Sequence, residues 1–504
     1  MTTRTPRDEH DRMLVANVHP PDWKNPTPAV CYNLVVIGAG TAGLVAAAAA
    51  AGLGARVALV ERDLMGGDCL NAGCVPSKAL IRAARAWADV GRAGEFGIRV
   101  PAGARVDFGA VMARMRRVRA ALSPADSAAR FRGLGVDVFL GEGRFTGRDR
   151  VQVGDASLKF RRALIATGAR AAVPAIPGLI DTGYFTNETV FGLTELPSRL
   201  AVIGAGPVGC ELAQAFARFG AAVSLFDRET QIMSREDPDV ARPVQQALAR
   251  DGVRLALGSQ IQRVECGPCG DKILHVRVAG SAETVAVDAI LVGVGRVPNV
   301  EGLNLEAAGV GLDARRGIRV DHRLRTSNRR IFAAGDVCSE NRFTHNSDFQ
   351  ARVVVQNALF LGRARATALT VPRCTYTDPE VAHVGLSERE AQARGIAIQT
   401  FVQELSEVDR AVLDGETDGF VKVHVRAGTD RIVGGTIVAP HAGEMLPELT
   451  LAIVKGVRLG ALASVIHSYP TQAEAIRKLG DAYNRTRLTP RVKRVLGAWL
   501  AWRR

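Results

Sequence analysis

Short apolar runs that each end in glycine recur along the chain, and their order predicts its elements. Leu34–Ala55 passes 22 residues without a charge, long enough for a membrane helix of about 20 residues. Its glycines divide it instead into Leu34-Val35-Val36-Ile37 as a buried strand, Gly38-Ala39-Gly40-Thr41-Ala42-Gly43 as a turn, and Leu44–Leu53 as an Ala-rich helix packed close against that strand. Arg56–Val60 then reads as a second strand ending at Glu61, 23 residues after the first glycine. The same unit occurs again: Leu200-Ala201-Val202-Ile203, the turn Gly204-Ala205-Gly206-Pro207-Val208-Gly209, and Ala222–Phe226 ending at Asp227, again 23 residues on. Further apolar strands run into glycine turns at Ala163–Arg170, Ile290–Asn299 and Ile331–Asp336.

The remaining patterns are of other kinds. Residues 1–30 are polar and Pro-rich and read as an extended, flexible arm, and Phe108–Leu122 reads as a basic helix. Residues 341–362 begin with Asn346 and Ser347 as capping residues before an apolar-periodic run. Past Cys374 the pattern turns to alternating strands, Phe420–Val425 and Arg431–Ala439, and two helices. Leu488–Arg504 reads as a short basic amphipathic helix, solvated or packed in a dimer, with membrane-surface contact as its alternative.

Composition narrows the classes. A chain of 504 residues holds several domains. The net charge of +14 raises nucleic acid as a partner, but Arg is scattered through nearly every segment and aromatics are only 5%, so nucleic-acid binding is not expected. Eight cysteines in a chain this long, with no segment that reads as a signal peptide, point to a reducing cytoplasm rather than a disulfide scaffold.

Two chemistries follow. Each repeated unit fits a dinucleotide: the glycines let backbone approach a pyrophosphate at a helix N-terminus, and Glu61 or Asp227 accepts from a ribose hydroxyl. Asp227 would meet a 2′-phosphate as like charge, which favours NADH, with NADPH as the alternative that Arg228 and Arg235 keep open. The second chemistry is in Met65–Lys78, where Cys69 and Cys74 lie in a Gly-rich, nearly charge-free segment that reads as a redox-active dithiol. A zinc half-site would want a second Cys/His pair, and no resident metal is expected. In a regular helix positions five apart are too distant for a disulfide, so Gly73 and Pro76 predict a distorted helix start. Its positive end beside the thiols should favour thiolate. Asp336, ending a buried strand, is placed to accept hydrogen bonds from a polyol chain, and Cys266-Gly267-Pro268-Cys269 reads as a hairpin turn between Ile261–Val264 and Lys272–Val278.

Together these motifs resemble the flavin-dependent pyridine nucleotide-disulfide oxidoreductases, among them glutathione reductase, dihydrolipoamide dehydrogenase and mercuric reductase, over about residues 32–485. The resemblance implies an α/β fold with two Rossmann-like dinucleotide-binding domains, for FAD and NAD(P), plus a C-terminal α+β dimerisation domain. It divides the chain into the arm at 1–30, the FAD domain at 31–170 and 296–370, the NAD(P) domain at 171–295, the interface domain at 371–485 and the basic tail at 486–504. It assigns FAD to Gly38, Gly40, Gly43, Glu61, Gly67, Lys78 and Asp336, with Thr167 and Gly168 at the crossover. It assigns NADH to Gly204, Gly206, Gly209, Asp227 and Gly295. It makes Cys69 the interchange thiol and Cys74 the thiol against the flavin, pairs Lys78 with Glu211, and aims the helix after residue 341 at the flavin, with His345 either at that edge or packing. It also implies homodimerisation through the interface domain, whose C-terminal segment reaches into the partner's active site.

The chain departs from these relatives at their acid/base dyad. In Ile466-His467-Ser468-Tyr469-Pro470-Thr471-Gln472-Ala473-Glu474, Glu474 keeps its place while Tyr469 stands where the histidine of the relatives would, and His467 comes two residues early. A phenol with a pKa near 10 is a poor base at neutral pH. Tyr469 and the segment Leu405–Val423 resemble mercuric reductases, which reduce a thiolate-bound metal ion. Their C-terminal cysteine pair and N-terminal metal-binding module have no counterpart, since the last cysteine is Cys374 and the only cysteine before the first glycine-rich unit is Cys31. Asp68, where relatives carry threonine, should oppose thiolate formation at Cys69. The expected function is an NAD(P)H- and FAD-dependent reductase of a soft metal ion or small electrophilic acceptor. The alternatives are a dihydrolipoamide dehydrogenase with His467 as base and a flavin-bearing redox-sensing or metal-sequestering protein.

Overall fold

The computed structural model describes residues 8–278 and 280–504. They divide into two compact units, one drawn from residues 8–204, 215–223, 260–278 and 280–369 and the other from residues 205–214, 224–259 and 370–504, so the division runs through the second glycine-rich unit.

In the first unit Tyr32–Ile37 lies parallel between Val57–Glu61 and Ala156–Ile165, with Val136–Leu140 beyond Val57–Glu61. Ile331–Ala333 returns to the same sheet alongside Ala156–Ile165. Register sets Ile37 and Ala333 both opposite Ile165, so three strands end at one level and pass into Gly38, Thr167-Gly168 and Gly335. That is the end of a parallel sheet at which ligands bind. Leu34, Val35, Val36 and Leu164 are fully buried, because strands covered on both faces read as unbroken apolar runs. Over the sheet the Ala-rich helix Thr41–Gly52 packs against Thr344–Leu359.

The first unit also holds Arg199–Ile203 parallel to Ala289–Val292, and a three-stranded sheet of Ser259–Cys266, Lys272–Val278 and Ser281–Val287. Cys266 and Cys269 are exposed free thiols at the hairpin between the first two of these strands, as expected. The turn is closed by Gly270 N–H to Gly267 O and Gly267 N–H to Asp271 O.

One expectation fails here. Within residues 1–30, read as an extended arm, Glu9–Val18 is a helix, capped by the Asp8 carboxylate on Asp11 N–H. Leu14 and Val18 are buried in the core at helical spacing, and Asp8 and Asp11 pair with Arg116 and Arg119 of Phe108–Leu122. No proline falls within the helix: Pro6 precedes it and Pro20 and Pro21 follow it, so the prolines bound it without preventing it.

The second unit is built on an antiparallel sheet ordered Arg373–Thr375, Glu380–Gly385, Ile432–Ala439, Phe420–Arg426 and Ile398–Glu404, covered by Ala442–Lys455 and Glu474–Thr486. The same unit holds Ser224–Phe226 parallel to Arg254–Ala256. At the edge of its core Lys422, 1% exposed, lies 2.7 Å from Asp239, 3.4 Å from Glu388 and 3.6 Å from Asp237. The tail forms Pro490–Trp502. No helix among the described residues is long and apolar enough to cross a membrane.

Candidate active site

The two glycine turns repeat each other atom for atom in their strain and their anchors. Gly38 and Gly204 have φ of +103° and +105°, a region that strongly favours glycine. A Cβ on Gly38 would stand 2.4 Å from Ala166 O, and one on Gly204 would stand 2.6 Å from Gly293 O. In the first turn Glu61 accepts from Ala39 N–H at 2.6 Å and Asp63 N–H at 2.9 Å. In the second Asp227 accepts from Ala205 N–H at 2.5 Å and Glu229 N–H at 2.9 Å. Each acid is thus fixed at the strand end beside the backbone that would meet a pyrophosphate, where a ribose hydroxyl can reach it. Burial pushes the Glu61 carboxyl up, against its hydrogen bonds from Ala39 and the Asp63 backbone.

Close backbone approach completes the first cradle. A Cβ on Gly43 would lie 1.8 Å from Gly38 O, and one on Gly67 would lie 2.7 Å from Gly40 Cα. Gly206 faces open space, and Gly209 lies in the helix Pro207–Phe219. At the crossover Thr167 Oγ1 donates to Asn299 O at 2.7 Å and Asn299 Nδ2 donates to Thr167 O at 3.0 Å. Gly168 and Gly295 take φ of +69° and +127° on these two segments. The residues therefore fit two dinucleotides, with Asp336 at the sheet end of the first. Burial pushes the Asp336 carboxyl up, and Arg296, with Nε 3.5 Å from Asp336 Oδ2, opposes the shift.

The dithiol lies where a helix is interrupted. Gly67–Asn71 is helical, Ala72 and Gly73 leave the helix, and Cys74 opens Cys74–Arg92. Gly73, at φ −136° and ψ −112°, leaves no room for a side chain: a Cβ would stand 2.8 Å from Asp68 O. This break brings together cysteines that a continuous helix would separate, and their thiols hydrogen-bond to each other. Cys74 Sγ is also 3.5 Å from Thr344 Oγ1, at the start of Thr344–Leu359.

The expectation of favoured thiolate fails at Cys69. The hydrogen bond to Cys74, then burial, then the Cys74 charge push the Cys69 thiol up. A charge on Cys74 holds the proton on Cys69 in place. The expected role of Asp68 needs correction. Asp68 is ion-paired with Arg296, which spans Asp68 and Asp336 and also donates to Ala169 O. The carboxylate that acts on Cys69 is Asp126.

Sequence reasoning missed the frame around this break. Arg119 donates to Asn71 O at 3.0 Å and Asn187 donates to Ala72 O at 3.1 Å. Asn71 Nδ2 donates to Met65 O and Gly67 O, and Asp11 holds the other arm of Arg119 at 2.7 Å. The signal for Arg119 was its place on the apolar stripe of Met112 and Met115, at i, i+3 and i+7, where an arginine needs a partner. The predicted caps were also misplaced. Phe343 occupies the cap of Thr344–Leu359, while Asn346 and Ser347 are buried in the first turn, with Asn346 donating to Asn341 O at 2.6 Å. His345 stacks on Phe343 at 5.4 Å and 7°, the packing alternative.

Lys78 is one turn after Cys74 on the dithiol helix. In the second unit Glu211 is buried and accepts from Tyr376 N–H at 2.8 Å. Tyr469 donates its hydroxyl to Asp409 at 2.8 Å, and that hydrogen bond pushes the phenol above its usual range. Glu474 accepts from Arg477 at 2.6 Å. Both ring nitrogens of His467 are engaged, Nδ1 with Val465 O at 3.0 Å and Nε2 with Glu448 at 3.1 Å.

Comparison with known proteins agrees with this geometry. Residues 32–354 match the family model described as pyridine nucleotide-disulphide oxidoreductase, and residues 371–479 match its dimerisation domain. A mercuric reductase of Staphylococcus aureus is 35% identical over 450 residues, covering 88% of this chain and 81% of the relative. A dihydrolipoyl dehydrogenase of Chlamydia muridarum is 33% identical over 452 residues, covering 88% of this chain and 95% of the relative. Among solved structures, the Cu(II) complex of the HOCl-induced flavoprotein disulfide reductase RclA from Escherichia coli superposes with a TM-score of 0.79 at 28% identity. It covers 90% of this chain and all of that one.

Proposed function

The chain belongs to the pyridine nucleotide-disulphide oxidoreductase family of FAD-containing, NAD(P)H-using enzymes, and from that premise we propose that it is an NADH-dependent reductase of soft metal ions or small electrophilic acceptors. The observation that carries this reading is Tyr469. The position at which thiol–disulfide exchange needs a base holds a phenol committed as donor to Asp409. A phenol raised above its ordinary range does not take a proton from an interchange thiol at neutral pH. His467, bonded at both nitrogens, offers no substitute. Mercuric reductase among the relatives and a Cu(II) complex among the structural neighbours support a metal acceptor.

In this reading Gly38, Gly40, Gly43, Gly67, Glu61 and Asp336 hold FAD, and Gly204, Gly206, Gly209 and Asp227 hold NADH. FAD, when bound, relays an electron pair from the nicotinamide to the dithiol. The Cys69–Cys74 bond takes up two electrons and breaks; the pair retains one proton, on Cys69, and presents a thiolate at Cys74. Binding of a soft ion such as Hg(II) by the two sulfurs would release the Cys69 proton to solvent, and a hydride equivalent from a second NADH would then supply two electrons to the ion, giving the metal, and one proton to Cys69, regenerating the dithiol. Two copies associate through the domain at 371–479. The reading of a dihydrolipoamide dehydrogenase would instead require His467 to leave Glu448.

The test measures NADH and NADPH oxidation against Hg(II), Cu(II), lipoamide, glutathione disulfide and a quinone side by side, with a thiol count under denaturing conditions before and after NADH. We expect a metal ion to be turned over at least about tenfold faster than lipoamide, and NADH to expose two thiols that Cys69→Ser abolishes. Lipoamide as the fastest acceptor, with activity lost in His467→Ala, would refute it.

A further inference from the structure

The helix Pro490–Trp502 lies outside the dimerisation-domain match, which ends at residue 479, and none of its residues is buried. Its start is well defined: Pro490 is its first residue, and the Thr489 hydroxyl caps Val492 N–H. At 3.6 residues per turn, Val492, Val495, Leu496, Trp499, Leu500 and Trp502 share one arc of about 160°. Val495, Trp499, Leu500 and Trp502 are 69%, 52%, 58% and 76% exposed, so this apolar face has no cover among the described residues. The two indoles lie side by side at 5.2 Å, and Arg503 sits over Trp499.

Charge decides what fits the face. Between Arg485 and Arg504 there are seven basic residues and no acidic one. Lys493 and Arg494 lie outside the apolar arc, Arg491 lies at its edge, and Arg503, just past the helix, lies over Trp499 within it. A second copy of this chain carries a net charge of +14 and would bring like charge to this face. A nucleic acid would satisfy the cations but leave both tryptophans and the aliphatic side chains in water. An anionic bilayer satisfies both: its headgroups meet the cations and its acyl boundary takes the apolar arc. With 13 residues the helix is about 20 Å long, too short to span and suited to lying in the interface.

We propose that Pro490–Trp502 docks the enzyme flat on an anionic lipid surface. Binding then depends on both halves of the helix. Each basic residue near an anionic surface contributes about fivefold to partitioning, and the tryptophans anchor at headgroup depth.

The test is flotation of the FAD-loaded enzyme with vesicles of phosphatidylglycerol and phosphatidylcholine, or of phosphatidylcholine alone. Expected are co-flotation with the anionic vesicles only, at least about a fivefold loss between about 0.1 and 0.5 M salt, and at least about a tenfold loss in Trp499→Ser/Trp502→Ser and on deletion of residues 489–504. Both variants should keep the molar mass by light scattering and the NADH oxidation rate. Absence of flotation with anionic vesicles, or flotation unchanged by deletion, overturns the proposal. So does a fall of the deletion variant to half the native mass, which would give the helix to a second copy.

Discussion

Replacing Asp227 should change which nicotinamide coenzyme the enzyme accepts. Its carboxylate is pinned by Ala205 N–H at 2.5 Å and Glu229 N–H at 2.9 Å, in the place that Glu61 holds in the first unit. A 2′-phosphate carries a charge of about −1.5 to −2 at neutral pH. Placed about 5 Å from the carboxylate at an effective dielectric constant of about 20, it meets a repulsion of about 3 kcal/mol per unit charge. Arg228 and Arg235 are exposed and free to swing toward a phosphate, so water and these cations leave a net penalty of about 1.4–2.8 kcal/mol, a factor of about 10 to 100. Asp227→Ser removes the charge and also leaves backbone donors unpaired, at a cost of about 1–3 kcal/mol to both coenzymes alike. The ratio of kcat/KM for NADH to that for NADPH therefore isolates the charge effect. It should fall about 10- to 100-fold in Asp227→Ser and comparably in Asp227→Asn, which keeps an acceptor on the turn. A wild type that prefers NADPH, or a ratio that moves less than about threefold in both variants, refutes the reasoning.

Two further outcomes follow from ion pairs, one in each unit. Lys422→Met leaves Asp237, 5% exposed, without its cation and should destabilise the second unit by about 2–4 kcal/mol in urea unfolding near pH 7. Burial works against the ammonium, but Asp239, Glu388 and Asp237 outweigh it and hold it above its ordinary value. Its contribution is therefore complete below the unfolded lysine's pKa of about 10.4 and is lost only as pH rises past the folded value. A wild-type advantage that disappears by about pH 8 would contradict this. Arg296→Gln releases Asp68 beside Cys69, and at about 6 Å, with an effective dielectric constant of about 40 for this half-exposed carboxylate, the added repulsion of about 1.4 kcal/mol should slow alkylation of the reduced dithiol about tenfold. Asp68→Asn in the same chain should restore the rate, and failure to do so would show that Arg296 acts otherwise.

The parts of the molecule that local rules govern were legible in the sequence. Gly38 and Gly204 announce strained turns, and the acids 23 residues later mark the strand ends that return beside them. Gly73 between the cysteines announces the break in the helix. What could not be read depends on distant partners. Arg296 reaches Asp68, 228 residues away, so the charge of Asp68 looked uncompensated. The helix Glu9–Val18 forms because Arg116 and Arg119, over a hundred residues later, and a core pocket for Leu14 and Val18 receive it. Polar composition there concealed an amphipathic face. The cap at Phe343 uses no side-chain bond, so the polar pair Asn346 and Ser347 drew attention one turn too late.

The frame around the dithiol bears on turnover as well as shape. Asn71 O and Ala72 O, the last carbonyls before the break, are held by Arg119 and Asn187 from outside the segment, and Arg119 is braced in turn by Asp11. None of these bonds involves sulfur, so opening or closing the Cys69–Cys74 bond leaves the two helix ends where they are. Each turnover thus proceeds over a backbone that need not rearrange. In the proposed cycle the sulfur couple would then move two side chains over a held backbone, and Asp11, remote in sequence from the cysteines, is part of what holds it.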